Sequence, residues 1–444
     1  MQDTTRLTIS PGFRRVLLWL ALGNCLVGVT RVVGSFQAPD IYRKDFISVY
    51  LLANATRHGI NPYLPLPTLT EKWLGYANYH SLLHPSPHPP LVALGGLPLS
   101  WLSYESAAVV WLMFELFCLL ASLWLLLRWW QPPVTKKRLA ILSLMLLGWA
   151  PLVEDLWYGQ FSTSLLLLLL GAWWALRQGK DALGGALLGG MVALKLTAWP
   201  IVLFLLVRRC WRGVLSAGAV AALANLLAVA VLGWDCVRDY YLKIGPSVGA
   251  LYRLHDTNYS TWTIGQRLFA DFGYNLSLSS PWPSPFLAQL TTVLIPLAVL
   301  AGALWLARKA THFDTAFALL TGVSILVSPI AWTHYLLLAV VPLAVLLRRL
   351  QTEGWPRRES YAAFCCTLLF SLPVTMYSNL SVLFARGATA DGTPIVPFAA
   401  GWFTLMPGIA LSGLLYLLWR TERQRAPQPA AAHKNFSELY AKAI

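Results

Sequence analysis

The sequence predicts an all-α polytopic membrane protein. Hydrophobic residues fill 57% of its 444 positions and charged residues only 12%, whereas a soluble domain carries about 25% charged residues. Apolar runs of spanning length recur from end to end, and a helical crossing needs about 20 apolar residues. The runs are continuous, as in LLLLLLGAWWAL at 165–176, and do not alternate with polar residues. Because backbone groups in lipid need internal partners, continuous runs mean helices and not a barrel.

The first apolar stretch follows basic residues, as a signal peptide would, but lacks a small-residue cleavage site and reads as a retained first helix. About twelve spans are expected, near 16–35, 106–128, 139–157, 161–177, 182–194, 196–207, 213–232, 287–307, 313–328, 334–349, 360–378 and 399–419. Residues 1–420 read as one membrane domain and 421–444 as a flexible cytoplasmic tail. The net charge of +15 is gathered at helix ends. It is therefore a topology signal, and no nucleic-acid partner is expected. The N-terminal tail, the C-terminal tail and the short segments 128–138, 177–181, 208–212, 308–309 and 348–358 together hold 23 of the 34 Lys and Arg residues. The positive-inside rule then places both termini in the cytoplasm of a plasma (inner) membrane protein. Basic residues flank 182–207 on both sides, so this stretch is expected to be a short helical hairpin with Lys195 near its outer tip. Gly184, Gly185, Gly189 and Gly190 would let its two helices approach closely.

Two large segments, 36–105 and 233–286, fall on the outer face, and chemistry is expected there. In the first, Asp45, Phe46, Val49, Tyr50 and Ala53 follow helical spacing, with Gly59 placed to end the helix. The pattern reads as an amphipathic helix lying on the outer membrane surface. Asp45, in its first turn, is either a helix-dipole partner or a catalytic carboxylate. His80, His84 and His88 are spaced four apart, but Pro85 and Pro87 break the helical face between them. The chain also lacks an Asp-x-Asp pair, and neither a metal nor a cofactor is expected. Lys195 and Glu115 are charges inside apolar runs, functional candidates by default, although Lys195 could instead snorkel to the surface. Asn258 and Ser260 are either ordinary loop residues or donors to a sugar. His334, between aromatic residues at the mouth of a span, is a membrane-belt histidine or a base or phosphate donor. The six cysteines have no CxxC spacing, and Cys365 and Cys366 read as small core residues.

In their order, several of these pieces resemble glycosyltransferase family 87, of the membrane-embedded GT-C class. They are Asp45–Phe46 with Tyr50 and Ala53, GINPY at 59–63, HPPL at 88–91, YGQ at 158–160, GGALLGGMVALKLTAWP at 184–200, NYS at 258–260 and SPIAWTHY at 328–335. At the HPPL position the family more often has Tyr-Pro-Pro, so His88 departs from its pattern. The resemblance covers roughly residues 16–420 and implies a GT-C-like bundle. It implies a polyprenyl-phosphate sugar donor, most often carrying mannose, and a lipid or cell-envelope glycan acceptor. Asp45 would be the general base at the outer face, and His334 and Lys195 would meet the donor phosphate. Tyr63, His88, Asn258 and Ser260 join the expected substrate-binding set. A sugar already activated by phosphate needs only proton removal and phosphate-charge stabilisation, so transfer with inversion is expected. The alternatives are a multi-pass transporter or lipid flippase, and a non-catalytic lipid-binding scaffold. The scarcity of intramembrane charge and the absence of a visible repeat between the halves weigh against transport.

Overall fold

A computed structural model describes residues 11–75, 83–130 and 143–424. Its helices are α1 (Pro11–Gly34), α2 (Phe46–Arg57), α3 (Tyr104–Trp130), α4 (Ala150–Tyr158), α5 (Ser162–Arg177), α6 (Asp181–Leu194), α7 (Trp199–Val207) and α8 (Trp211–Leu232). They continue with α9 (Pro285–Lys309), α10 (Phe313–Leu326), α11 (Val340–Thr352, entered through a 3₁₀ stretch Thr333–Ala339), α12 (Arg357–Ser371), α13 (Val374–Val382) and α14 (Met406–Arg423). Short helices fill the connections. Among the described residues, six helical segments are long and apolar enough to cross a membrane, or seven if α12 and α13, bent by 80°, form one span. The bend falls at Leu372–Pro373, where proline cannot continue a helical ladder. Four apolar helices, α5, α6, the segment Leu196–Val207 and α10, are shorter than a full crossing. By length alone, the described residues therefore do not confirm the expected count of about twelve spans. The stretch expected at 139–157 lies partly outside the described residues, and its described part breaks at Gly148–Trp149.

The lipid-facing surface is legible from what is exposed. Trp19, Phe117, Leu120, Leu215, Leu226 and Phe286 stand outward from α1, α3, α8 and α9, a distribution stable only against an apolar solvent. The 3₁₀ stretch before α11, by contrast, is buried throughout. Cys365 is exposed and Cys366 half-buried, both as free thiols, so the pair lies on the periphery and not in the core.

The segment 181–207 breaks at Lys195, whose extended backbone (φ −156°, ψ 119°) separates α6 from α7. Its glycines serve a different neighbour from the expected one. A Cβ on Gly185 would lie 2.0 Å from the Gly213 carbonyl oxygen, and one on Gly189 would lie 2.4 Å from that of Ala217. Both belong to α8, so small residues press α6 against α8 and not against α7. Gly190 faces open space.

Basic connections collect at one end of the bundle. There Arg177 pairs with Asp314 at 3.0 Å, Arg208 donates to the Ala310 carbonyl, and Arg348 donates to that of Trp129. Arg349 pairs with buried Glu422 at 2.7 Å. The segments 36–105 and 233–286 interlock elsewhere. His84 meets the Tyr252 hydroxyl at 2.7 Å, and Tyr240 donates to the Pro87 carbonyl at 2.9 Å. A small sheet joins Ser277–Leu278, Pro394–Val396 and Gly387–Ala388 in that order, parallel then antiparallel. Strands of two or three residues are too short to show alternation in a sequence.

Candidate active site

The helix after Asp45 is enclosed, which corrects the expected surface-lying amphipathic helix. Every residue from Phe46 to Ala55 is buried, because α2 sits beneath the Pro90–Gly95 helix and the Leu97–Trp101 turn. A Cβ on Gly96 would touch Ala53 and Val49. Gly59, at φ 66°, follows the helix C-terminus as its pattern implies. Asp45 is the N-cap residue but makes no capping hydrogen bond; its side chain turns elsewhere.

It turns to Gln160. The Gln160 side-chain Nε2 donates to Asp45 Oδ2 at 2.7 Å, and Lys195 Nζ lies 3.4 Å from Gln160 Oε1 as its donor. One amide thus joins a carboxylate to an ammonium. The turn carrying Gln160 is fixed from several sides. Gly159 closes α4 in the left-handed region at φ 67°, where a Cβ would lie 2.8 Å from the Phe46 Cβ; only glycine lets the turn dock on the residue next to Asp45. Trp111 Nε1 donates to the Gly159 carbonyl at 2.9 Å. The Gln160 N–H bonds the Asp155 carbonyl at 2.9 Å, and the Asp155 carboxylate accepts from the Ser162 N–H at 3.1 Å.

Asp45 is surrounded by protein yet only half-buried, keeping an accessible face. Burial pushes its carboxyl up to about 6, against the opposing pull of the Gln160 hydrogen bond and the Lys195 charge. Tyr252 and Tyr335 lie within electrostatic reach of it. The Lys195 ammonium is held over two aromatic faces, Tyr335 at 4.0 Å and Phe161 at 5.0 Å from the ring centroids. It is part of the site and does not snorkel.

His88 is buried against the Phe161 ring. Burial, and secondarily the Lys195 charge, push its imidazole down to about 3, so it is neutral. His334 is buried beside the Tyr335 ring, not at a lipid belt, and its Nε2 has no hydrogen-bond partner among the described residues. The charges of Lys195 and His88 both reach it. Asp45, Gln160, Lys195, His88, His334 and Tyr335 therefore form one neighbourhood.

The remaining expected site residues are committed to the protein. Asn258 Oδ1 accepts from the N–H groups of Ser260 and Ala331, while its Nδ2 donates to the carbonyls of Tyr252 and Pro329. Those four bonds use the full capacity of an amide. Ser260 donates its hydroxyl to the Ser328 carbonyl and accepts from the Trp262 N–H. Both residues tie the 258–263 turn to the segment that leads into His334. Tyr63 is buried, donates to the His88 carbonyl at 2.8 Å and packs on Tyr240.

Of the three histidines spaced four apart, His80 lies outside the described residues, and His84 is bonded to Pro85 and Tyr252. Among the described residues no group of three His, Cys, Asp or Glu side chains is placed to hold a metal ion. Glu115 now has partners: the Thr163 hydroxyl and the Ser164 N–H, with Asp155 nearby.

The YGQ element at 158–160 carries the family resemblance without itself giving Gln160 a role. The usable signal was a lone amide between a glycine and a long leucine run, a costly place for a polar side chain without a purpose. Asp155 escapes a sequence reading because two adjacent acids, Glu154 and Asp155, in a short apolar helix have no periodic signature.

The fold and this neighbourhood define a polytopic helical membrane protein with a half-buried carboxylate–amide–ammonium cluster. A model of glycosyltransferase family 87 matches residues 87–329, more than half of the chain, and the chain belongs to that family. His88, Gln160, Lys195, Asn258 and Ser260 lie within the match; Asp45, Tyr63 and His334 lie outside it. Two curated relatives carry the name polyprenol-phosphate-mannose-dependent alpha-(1-2)-phosphatidylinositol mannoside mannosyltransferase. The one from Mycobacterium tuberculosis is 26% identical over 312 residues, covering 62% of this chain and 64% of its own. The one from Mycolicibacterium smegmatis is 27% identical over 278 residues, covering 56% and 59%. The chain thus matches less than two thirds of either relative's length. No solved structure matches it.

Proposed function

We propose that this chain transfers mannose from a polyprenyl-phosphate donor to a lipid or cell-envelope glycan acceptor at the outer face of the plasma membrane, with inversion at the anomeric carbon. The observation that carries the reading is the Asp45–Gln160–Lys195 cluster. It offers a proton acceptor and a cation on opposite ends of one amide, both half-buried. Family membership and the relatives' printed donor support the substrate class. The acceptor oxygen attacks the anomeric carbon, its proton passes to Asp45, and the bond to the phosphate oxygen breaks. The lipid phosphate leaves with the electron pair, opposite the charge of Lys195. His334 and neutral His88 contribute imidazole nitrogens on the phosphate side. A single carboxylate suffices for this direct displacement; a two-step route would need a second as nucleophile. Asn258, Ser260 and Tyr63 enter as ties that hold the His334 and His88 segments in place.

The test is transfer by purified protein in proteoliposomes, with radiolabelled polyprenyl-phosphate mannose and a phosphatidylinositol mannoside acceptor. Label should move to the acceptor, and EDTA should leave the rate unchanged. Transfer from a nucleotide sugar in the absence of polyprenyl lipid would overturn the donor assignment. Movement of the donor across the bilayer without transfer would favour a flippase.

A further inference from the structure

The turn at 159–161 places one amide side chain, Gln160, between Asp45 and Lys195. Asp45 Oδ2 is occupied by Gln160, while Oδ1 has no hydrogen-bond partner among the described residues. The orientation of the Gln160 amide is not arbitrary. An ammonium can only donate and an ionised carboxylate can only accept, so the amide oxygen must face Lys195 and the nitrogen must face Asp45. The opposite flip would set an oxygen against a carboxylate and an amide N–H against an ammonium. Lys195 is itself held by two rings, and the Gln160 backbone is held by Asp155 and by the packing of Gly159 on Phe46.

We propose that Gln160 is the positioning residue that aims the Asp45 carboxylate: its nitrogen fixes Oδ2, Lys195 fixes its oxygen, and Oδ1 is left to take the proton of the acceptor hydroxyl. This rests on the reading of Asp45 as the general base. Gln160 touches neither the reacting carbon nor the transferred proton, and it acts through Asp45. It also couples the two halves of the site, because the amide that orients the base is oriented by the cation facing the donor phosphate. Its hydrogen bond favours the ionised form of Asp45, so its loss makes the base harder to deprotonate.

The experiment compares Gln160→Leu, which keeps the volume but no hydrogen bond, with wild type in the mannosyl-transfer assay. Turnover should fall about tenfold to a hundredfold, the range for losing a hydrogen bond to a charged group. The acid limb of the kcat/KM profile should move up by about one pH unit, while the donor KM stays within about threefold. Gln160→Glu should move the limb upward further, because a second carboxylate opposes ionisation of Asp45. If Gln160→Leu does not fold, Gln160→Asn serves instead: it is polar but one methylene too short to bridge both partners, and the same upward shift is expected. A merely structural Gln160 would lower activity and leave the acid limb in place, which would overturn the inference. Asp45→Asn, run in parallel, separates the two claims. An active Asp45→Asn sinks the base assignment itself; an inactive Asp45→Asn with an unmoved limb in the Gln160 variants sinks only the role of Gln160.

Discussion

The Lys195 ammonium stands 4.0 Å from the centre of the Tyr335 ring, a contact that joins the tip of one helical break to the 3₁₀ entry of another span. Lys195 can reach that ring because its own backbone is extended between α6 and α7. The arrangement keeps a cation in an apolar bundle by giving it π-faces and one amide oxygen.

A prediction follows for the ring. Tyr335→Phe preserves the face and should keep the donor KM within about threefold, since a cation–π contact does not need the hydroxyl. Tyr335→Leu removes the face and should raise the donor KM about tenfold, from the roughly 0.5–2 kcal/mol such contacts contribute. Lys195→Met should cost more, about tenfold to a hundredfold in kcat/KM, through the lost charge opposite phosphate. Lys195→Arg should not restore full activity, because a planar fork does not fit a site built around a point charge. Equal KM values for the Phe and Leu variants would remove the ring from the site.

Much of this was readable from residue types. The membrane class followed from continuous apolar runs, and the helical break at Lys195 from basic residues on both flanks. Gly59 marked the end of the helix after Asp45. What was not readable was burial. An i, i+3, i+4 pattern says that one face of a helix is apolar, but it does not say that the other face is also covered, as it is for α2. The roles of Asn258 and Ser260 were hidden for a similar reason: a polar loop residue looks the same whether it binds a sugar or four backbone groups of its own chain. Glycine spacing in α6 announced a close approach without naming the partner, which proved to be α8.

Asp45→Asn should reduce turnover by about 10²–10⁴-fold, the usual contribution of a general base. Its effect on stability should have the opposite sign. Burial raises the Asp45 carboxyl from 3.8 to about 6 in the folded chain, so ionised Asp45 disfavours the fold at any pH above that value. The asparagine variant should therefore melt no lower than wild type at pH 8, and the difference should shrink as pH falls from about 6 to about 4, below which both states are protonated. The wild-type kcat/KM profile should show an acid limb near pH 6. A folded Asp45→Asn protein with near wild-type turnover would remove Asp45 from the chemistry.

Two adjacent glycine sites in α6 provide a matched pair for stability. Gly189→Ala places a methyl group 2.4 Å from the Ala217 carbonyl oxygen, and backbone cannot step aside as a flexible side chain can. Gly190→Ala meets nothing within 4 Å. The first should lower the midpoint of thermal unfolding in detergent and the yield of folded protein, as overpacking costs about 1–3 kcal/mol. The second should leave both unchanged or slightly raised, given the higher helix propensity of alanine. Equal tolerance of both substitutions would show that α6 does not press on α8.

The last prediction concerns orientation, on which an outer-face reaction depends. Positively charged loops resist translocation, and the segments assigned to the cytoplasm hold 23 of the 34 basic residues. In the fold these segments converge: Arg177 meets Asp314, Arg208 meets the Ala310 carbonyl and Arg348 meets that of Trp129. The charge count and the packing use independent information, one a sum over loops and the other a set of contacts. They agree on which connections share an end. Single cysteines at Thr68 and at Ser279, both exposed positions in the two large segments, should react with a membrane-impermeant thiol reagent in intact cells. A cysteine at Arg358, in the basic first turn of α12 and also exposed, should react only after permeabilisation. The background must have its six native cysteines replaced, since Cys365 is exposed. Labelling at Arg358 with protection at Thr68 and Ser279 would reverse the orientation. The Asp45 carboxylate would then lie toward the cytoplasm, and a donor presented from the outer leaflet would have no route to it.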